Sequence, residues 1–258
     1  MPATKIYKTE AIILKHANLR EADRVITLYT PNLGKLRVVV KGARRTTSKL
    51  GGHVQPLTRC SLMLARGRNM DTLTQSQIID SFPQIHDDLL LTAQALYLVE
   101  LTDAFTFDQL ENYQVYRLLL DSLHSLVEAP NAELLLRYFE VQLLGYVGYQ
   151  PELYHCLTCK SALEPTQNFF SFSGGGVLCS ECSYTEPIVR PLSVNALKVL
   201  RLLQRENYTT ARRIRLKVDL GEELEQITQG YIQYLLEREL KSTQFLKRLK
   251  RDESPALH

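Results

Sequence analysis

The sequence has no tryptophan, and no uncharged stretch in it reaches the roughly 18 residues that a membrane-spanning helix needs. It also lacks the P-loop pattern Gly-x-x-x-x-Gly-Lys-Ser/Thr, the dinucleotide pattern Gly-x-Gly-x-x-Gly, the zinc-protease pattern His-Glu-x-x-His and the hydrolase pattern Gly-x-Ser-x-Gly. These absences exclude a P-loop ATPase and leave no positive sign of covalent catalysis. We therefore expect a binding protein with no membrane span and no enzymatic activity.

The composition is otherwise ordinary for a globular chain, with 45% hydrophobic and 23% charged residues among 258. This length suits one large domain or two small ones. Lys5 and Lys8 lie near the N-terminus, but no apolar core of signal-peptide length follows them. We therefore expect no signal peptide and a cytoplasmic location.

The formal net charge of +3 hides a strong division along the chain. Residues 1–80 contain 14 Lys and Arg against 5 Asp and Glu, a balance of +9, whereas residues 81–150 contain 2 against 10, a balance of −8. Residues 151–190 carry −2 and residues 191–258 carry +4. A basic module joined to an acidic one indicates a nucleic-acid surface beside a surface for a different partner.

Residues 1–80 are typical of a small β module, because runs rich in β-branched residues alternate with turn signals such as Pro31-Asn32-Leu33-Gly34. Five strands in a module of this length favour a small barrel, for which the five-stranded OB-fold is the leading candidate. The predicted strands are Thr9–Lys15, Arg24–Thr30, Lys35–Lys41, Leu57–Ala65 and Asp71–Ile79, with room for a short helix between Lys41 and Pro56.

Beyond about Pro83 the apolar residues follow the helical period, and Asn131 and Ser193 stand where helix N-caps are expected. The sequence thus predicts an α+β multidomain protein. Its OB-fold would span residues 1–80 and its α-helical domain residues 81–258, with a cysteine-bearing insert at about 150–187. The predicted helices are Leu89–Gln109, Tyr113–Val127, a stretch from Asn131 to about Tyr146, Val194–Gln204 and Glu222–Arg238.

Four of the five cysteines form two Cys-x-x-Cys pairs, Cys156 with Cys159 and Cys179 with Cys182, separated by nineteen residues. Each pair lets two thiolates point at one metal from a tight knuckle, and the stretch between the pairs can form a hairpin that turns at Gly174-Gly175-Gly176. We therefore expect one structural Zn²⁺ in a zinc-ribbon-like insert. The alternatives are two disulfides, which a reducing compartment disfavours, or cysteines without a metal.

The third predicted strand has a cationic face, because side chains alternate between the two faces of a strand. Leu36, Val38 and Val40 would face the barrel interior, and the opposite face and the following loop are basic. In OB-folds the face of strands 2 and 3 and the adjoining loops bind oligonucleotides. An ordinary solvated basic surface is the alternative. The expected nucleic-acid-binding residues are Arg20, Arg24, Lys35, Arg37, Lys41, Arg44, Arg45 and Lys49.

Residues 1–80 contain only Tyr7 and Tyr29 as aromatic residues that could stack on bases, and Tyr29 could do so only from the outer barrel face. Phosphate contacts should therefore dominate, which implies little sequence preference and strong salt dependence. The acidic residues of 81–150 are expected to form solvated helix faces. An apolar groove for a partner peptide is the alternative.

Several stretches of the chain resemble the RecO family of bacterial DNA repair proteins. The resemblance covers most of the chain, is most specific in residues 8–57 and at the cysteines, and is weak after about residue 190. The stretches are Lys8–Leu14 (KTEAIIL), Glu21–Thr30 (EADRVITLYT), Gly34–Arg45 (GKLRVVVKGARR), Gln55–Leu57 (QPL), Tyr97–Leu101 (YLVEL) and the cysteine pairs that follow Gly145-Tyr146.

The resemblance implies an N-terminal OB-fold, a helical domain and a zinc-binding insert. It also implies a recombination mediator that works with RecR to load a recombinase onto strands coated by single-strand-binding protein. Such a mediator contacts the C-terminal tail of the coating protein and anneals complementary strands. DNA binding would map to the basic β face, and zinc to Cys156, Cys159, Cys179 and Cys182.

The residues and the resemblance together predict a non-enzymatic, nucleoid-associated protein that binds single- and double-stranded DNA without sequence specificity. Its basic residues would neutralise phosphates and release counterions, so that two strands can approach each other. Two other functional classes remain open: a zinc-ribbon transcription or translation factor that binds RNA, and a metal-dependent nuclease.

Overall fold

The computed structural model describes residues 5–19, 21–45 and 49–253. The chain divides into two compact units, Met1–Val127 and Glu128–His258. The change from strands to helices falls near residue 80, yet the helices that directly follow the barrel group with it rather than with the later helices. Within the described ranges, no helix combines the length and the apolar character that crossing a bilayer requires.

The strands of the first unit form a closed barrel in the order β1-β2-β3-β5-β4. Strands β3 and β5 are parallel, and the other neighbouring strands are antiparallel. The prediction of a five-stranded OB-fold is therefore confirmed. The strands are β1 Ile6–Asn18, β2 Arg24–Thr30, β3 Gly34–Val40, β4 Arg59–Ala65 and β5 Asp71–Asp80, and a short helix α1, Lys49–His53, lies between β3 and β4.

Side-chain alternation along β3 builds one wall of the barrel core. Leu36, Val38 and Val40 are all buried in the core cluster, as their spacing predicts. Leu36 lies opposite Leu28 of β2, and Val38 lies opposite Ile26. A slip of one residue would turn the intervening charged side chains into this interior, so the hydrophobic pattern specifies the register.

The helices of the first unit attach to the barrel through polar as well as apolar contacts. The hydroxyl of Tyr116 donates to the Glu10 carboxylate on β1, and Nε of Arg59 donates to the same oxygen at 2.7 Å. Burial would raise the pKa of Glu10, but the hydrogen bonds from Arg59 and Tyr116 outweigh it and lower that pKa. The helices are α2 Pro83–Asp87, α3 Leu89–Phe105 and α4 Tyr113–Glu128.

The second unit is built around three helices that pack against one another, α5 Ala132–Tyr146, α6 Val194–Arg205 and α8 Val218–Leu236. The predicted caps are present: the side chain of Asn131 accepts the Leu134 N–H at the start of α5, and that of Ser193 accepts the Ala196 N–H at the start of α6. Each cap satisfies a backbone donor that has no partner inside its helix, which explains why both helices begin where they do.

Two short helices and one polar helix of the structure are absent from the sequence-based prediction. Helix α2 has five residues and α7, Tyr208–Ala211, has four, so neither is long enough to display a helical period. Helix α9, Lys241–Glu253, has only Phe245, Leu246 and Leu249 as apolar residues. Its hydrophobic stripe is therefore too sparse to identify from the sequence.

We predict that Gly34→Ala lowers the free energy of unfolding by about 2 kcal/mol or more, as measured by chemical denaturation. Gly34 has a φ of 62°, and a Cβ there would lie 2.0 Å from the Leu110 carbonyl oxygen. Gly52→Ala is the control, because Gly52 lies in α1 with open space around it and alanine favours a helix. An equal loss of stability in both variants would contradict this account.

Candidate metal centre and nucleic-acid interface

The cysteine-bearing insert forms a small sheet with the strand order β7-β6-β8. Strands β6, Asn168–Ser171, and β7, Gly176–Leu178, form the predicted hairpin, and β8, Val189–Leu192, pairs with the other edge of β6. The sheet packs on α8, where the rings of Phe170 and Tyr231 are 5.5 Å apart. Through this packing, helix α8 supports the small sheet whose hairpin lies between the two cysteine pairs in the sequence.

The structure brings together all four cysteines of the two predicted pairs. The Sγ atoms of Cys156, Cys159, Cys179 and Cys182 lie within 4.8 Å of one another, and those of Cys159 and Cys179 are 3.9 Å apart. A metal with four Zn–S bonds of about 2.3 Å in a tetrahedron places its sulfurs about 3.8 Å apart. The cysteines are free thiols, so the geometry matches a tetrahedral metal site and not a pair of disulfides.

Hydrogen bonds to the sulfurs of Cys156 and Cys159 lower the pKa of these two thiols and so favour thiolates, the metal-binding form of cysteine, whereas the pKa values of Cys179 and Cys182 are raised. The backbone N–H of Cys179 donates to Sγ of Cys156 at 3.4 Å, and Sγ of Cys159 lies 3.0 Å from the Ser161 hydroxyl. Burial would raise the pKa of Cys156, but the backbone N–H groups that point at its sulfur outweigh burial and lower that pKa to about 6. Four thiolates this close repel one another, so full ionisation requires a cation between them.

The neighbouring histidine, His155, is not a member of the cysteine cluster in the described part of the chain. Its backbone N–H donates to the Glu152 carboxylate at 3.0 Å. Four thiolates complete a tetrahedral shell and leave no position for a substrate or a reactive water. The donor set therefore fits a structural metal and not a catalytic one.

The basic face predicted on β3 is largely covered by the helical part of the first unit. Lys35 is 9% exposed, and its Nζ donates to the Asp103 carbonyl oxygen at 2.7 Å and to the Asp103 carboxylate at 3.3 Å. Lys15 on β1 pairs with the same carboxylate. Lys35 is therefore little accessible to a nucleic acid in this structure, because its ammonium group is buried against Asp103.

The segment between α3 and α4, residues 106–112, also covers the outer side of β2 and β3. Arg37 donates to the Asp108 carboxylate from Nε at 2.8 Å and from Nη2 at 2.5 Å. Tyr29 is completely buried, and its hydroxyl donates to the Asn112 carbonyl at 3.4 Å. Tyr29 is thus not available to stack on a base.

The loop that follows β3 keeps its cations exposed. Lys41, Arg44 and Arg45 are all exposed, and no ion pair involves Lys41 or Arg45 within the described ranges. Backbone contacts hold the loop in place, since the N–H of Gly42 donates to the Asp23 carboxylate at 2.8 Å. This loop, residues 41–45, is the strongest candidate for a nucleic-acid contact.

The remaining predicted nucleic-acid-binding residues are Arg24, Arg20 and Lys49. Arg24 is half-buried at the start of β2. Arg20 and the side chain of Lys49 lie outside the described residues, although the backbone of Lys49 begins α1.

Sequence reasoning did not identify Asp103 and Asp108 as partners of the basic face. The only signal for them was the charge balance of −8 in residues 81–150 beside +9 in residues 1–80. Opposite charges of this size favour contact between the two segments, but the balance does not say which residues pair.

Two family models together match most of the chain. Residues 3–82 match the family model described as Recombination protein O N terminal, and residues 86–244 match Recombination protein O C terminal. A DNA repair protein RecO of Dehalococcoides mccartyi is 40% identical over 95% of this chain and 96% of its own length. Proteins of that name from Roseiflexus sp. and Desulforamulus reducens are 37% identical, over 98% and 95% of this chain and 90% and 95% of their own lengths.

We predict that the purified protein carries about one thiolate-bound metal ion per chain and that Cys156→Ser lowers this content, as measured by elemental analysis. A strong chelator should remove the metal and unfold the insert locally, which limited proteolysis would detect. Cys60→Ala is the matched control, because Cys60 is buried in the barrel core and lies outside the cysteine cluster. A preparation without metal, or an equal loss from Cys60→Ala, would contradict the assignment.

Proposed function

Because the chain belongs to the RecO family of DNA repair proteins, we propose that it is a non-enzymatic recombination mediator that binds DNA through its barrel. The observation that carries the proposal is the loop of residues 41–45, which presents Lys41, Arg44 and Arg45 to solvent at the end of β3. Loops and strand faces in this part of an OB-fold are common places for oligonucleotide binding. Arg24 and Arg37 flank this loop along the strands and would extend the contact.

The proposed mechanism is electrostatic. Cations of the loop neutralise phosphates of a strand and release counterions, which makes the affinity strongly salt-dependent and nearly independent of sequence. Tyr29 is buried and cannot stack on a base, which supports a binding mode dominated by phosphate contacts. Neutralised strands repel each other less, so the same surface would bind single- and double-stranded DNA and promote annealing of complementary strands.

We further propose that this activity is directed to coated strands by protein partners. These are RecR and the C-terminal tail of single-strand-binding protein, and together they would help a recombinase to load. The proposal of these partners, and of a cytoplasmic, nucleoid-associated location, rests on the resemblance to the RecO family. DNA binding by the barrel and partner binding elsewhere would combine as multivalent contacts.

We propose Zn²⁺ as the metal held by Cys156, Cys159, Cys179 and Cys182. Four soft thiolates in a tetrahedron are typical of zinc or of iron–sulfur ligation, and a structural Cys₄ shell on a small sheet favours zinc. When bound, the ion would supply folding energy to an insert whose own strands have only three or four residues. Elemental analysis distinguishes zinc from iron.

Reversal of the loop charges in Lys41→Glu, Arg44→Glu and Arg45→Glu together should weaken single-stranded DNA binding by at least about tenfold at moderate salt. Because three phosphate contacts are lost, the slope of log affinity against log salt should fall by about 2. Titrations at several salt concentrations measure both quantities.

The matched control reverses three exposed cations of the second unit, in Lys198→Glu, Arg205→Glu and Arg238→Glu, with the same change of net charge. Equal effects in the two triple variants, or an unchanged slope in the loop variant, would refute binding by the loop. RNA of matched sequence distinguishes the RNA-binding class, and incubation of labelled DNA with Mg²⁺ or Mn²⁺ detects a nuclease.

Annealing of complementary strands coated with single-strand-binding protein should be accelerated by the full chain and not by the loop charge-reversal variant. The physical reason is that annealing requires two strands of like charge to approach each other. Fluorescence quenching between labelled strands measures the rate. No acceleration by the wild-type chain at any salt concentration would count against the mediator function.

A further inference from the structure

Two aspartates form ion pairs with cations on the outer face of the barrel. Without these carboxylates, the same cations could bind the phosphates of a nucleic-acid strand. Asp103, in the last turn of α3, contacts Lys15 and Lys35. Asp108, in the segment of residues 106–112, contacts Arg37 through two guanidinium nitrogens. Both aspartates belong to the same compact unit as the barrel.

The two contacts differ in exposure to solvent. In the inner contact, the side chains of Lys35 and Asp103 are 11% and 18% exposed, whereas those of Arg37 and Asp108 are 61% and 38% exposed. Exposed ion pairs contribute little net stability, because water and salt compete for both partners. A phosphate can therefore replace Asp108 on Arg37, while the buried pair between Lys35 and Asp103 persists.

The position of Asp108 is set by the backbone and not only by its ion pair. The N–H of Gln109 donates to the Lys35 carbonyl at 2.8 Å, and Asp108 forms a bridge of the parallel type with Lys35. The segment also approaches Gly34 closely, at Leu110. The carboxylate is thus held beside Arg37 before any ligand arrives, which makes it an effective competitor.

Arg37 lies on the path of a strand that binds the loop of residues 41–45. Arg37 lies on β3, and Lys41 follows the last residue of that strand, four positions after Arg37. At about 3.3 Å per residue their Cα atoms are at most about 13 Å apart. A nucleic-acid strand that contacts Lys41 can therefore reach Arg37 within a few nucleotides.

We propose that Asp108 is an internal competitor for phosphate at Arg37, so that it weakens DNA binding by the barrel. This inference rests on the proposed DNA-binding function of the loop. Arg37 then contacts a strand only when that strand displaces the Asp108 carboxylate. The competition keeps the affinity for phosphate at Arg37 low, so that a bound strand can dissociate and exchange.

The full-length variant Asp108→Asn should bind single-stranded DNA about two- to fivefold more tightly than the wild type, because one exposed ion pair no longer competes. The salt slope should become steeper by about 0.7, which corresponds to one additional phosphate contact. Arg37→Gln should remove the whole gain when it is combined with Asp108→Asn, and the single variant Arg37→Gln completes the double-mutant cycle. The coupling between the two substitutions is the diagnostic quantity.

Asp121→Asn is the matched control, because Asp121 also forms an exposed ion pair, with Arg117 on α4, and its loss changes the net charge identically. An equal gain in affinity for Asp121→Asn would overturn the inference in favour of a net-charge effect. No gain for Asp108→Asn, while reversal of the loop charges still weakens binding, would overturn the inference and leave the proposed function intact. If loop reversal has no effect either, the proposed function itself fails.

Thermal melting checks that each variant is folded. The exposed position of Asp108 and the backbone contact of Gln109 with Lys35 should preserve the segment in the variant. Asp108→Ser provides a second test with a smaller side chain, and it should reproduce the tighter binding and the steeper salt slope. A melting temperature unchanged by either substitution, together with unchanged affinity, would overturn the inference.

Discussion

The burial of one ammonium group, that of Lys35, organises the first unit of this protein. A charge removed from water needs partners, because burying it alone costs several kcal/mol, which is a large part of a domain's stability. Asp103 supplies both a carbonyl and a carboxylate to that group. The last turn of α3 must therefore lie on β3, and the following segment runs along the same strand, where Gln109 donates to the Lys35 carbonyl.

This constraint changes which part of the basic module can serve as a nucleic-acid surface. The outer faces of β2 and β3 are the usual binding surface of an OB-fold, but here Tyr29 is buried and Arg37 is paired with Asp108. Among the predicted nucleic-acid residues that the structure describes, the exposed ones that do not pair with Asp103 or Asp108 lie in the loop of residues 41–45. The acidic character of residues 81–150 is thus partly an internal complement to the barrel, and the solvated-face interpretation is incomplete at Asp103 and Asp108.

The cysteine insert follows a different physical principle. Its sheet has strands of three or four residues, which cannot bury enough apolar surface to be stable without further support. The contact of Phe170 with Tyr231 provides part of that support, and a metal held by the two knuckles with their converging sulfurs would provide the rest. Because each knuckle is set by the local spacing of its cysteines, the sequence alone is sufficient to locate this site.

Features that depend on residues near one another in the chain can be predicted from the sequence. These are the register of β3 through Leu36, Val38 and Val40, the caps at Asn131 and Ser193, and the convergence of the cysteines. Periods of two and 3.6 residues and Cys-x-x-Cys spacing carry that information locally. Which cations are paired with a carboxylate depends instead on the tertiary structure. The partner of Lys35 is 68 positions away, and a charge count has no means of pairing residues at such a separation. Folding brings such charges together, and this pairing leaves some basic residues buried and others exposed to solvent.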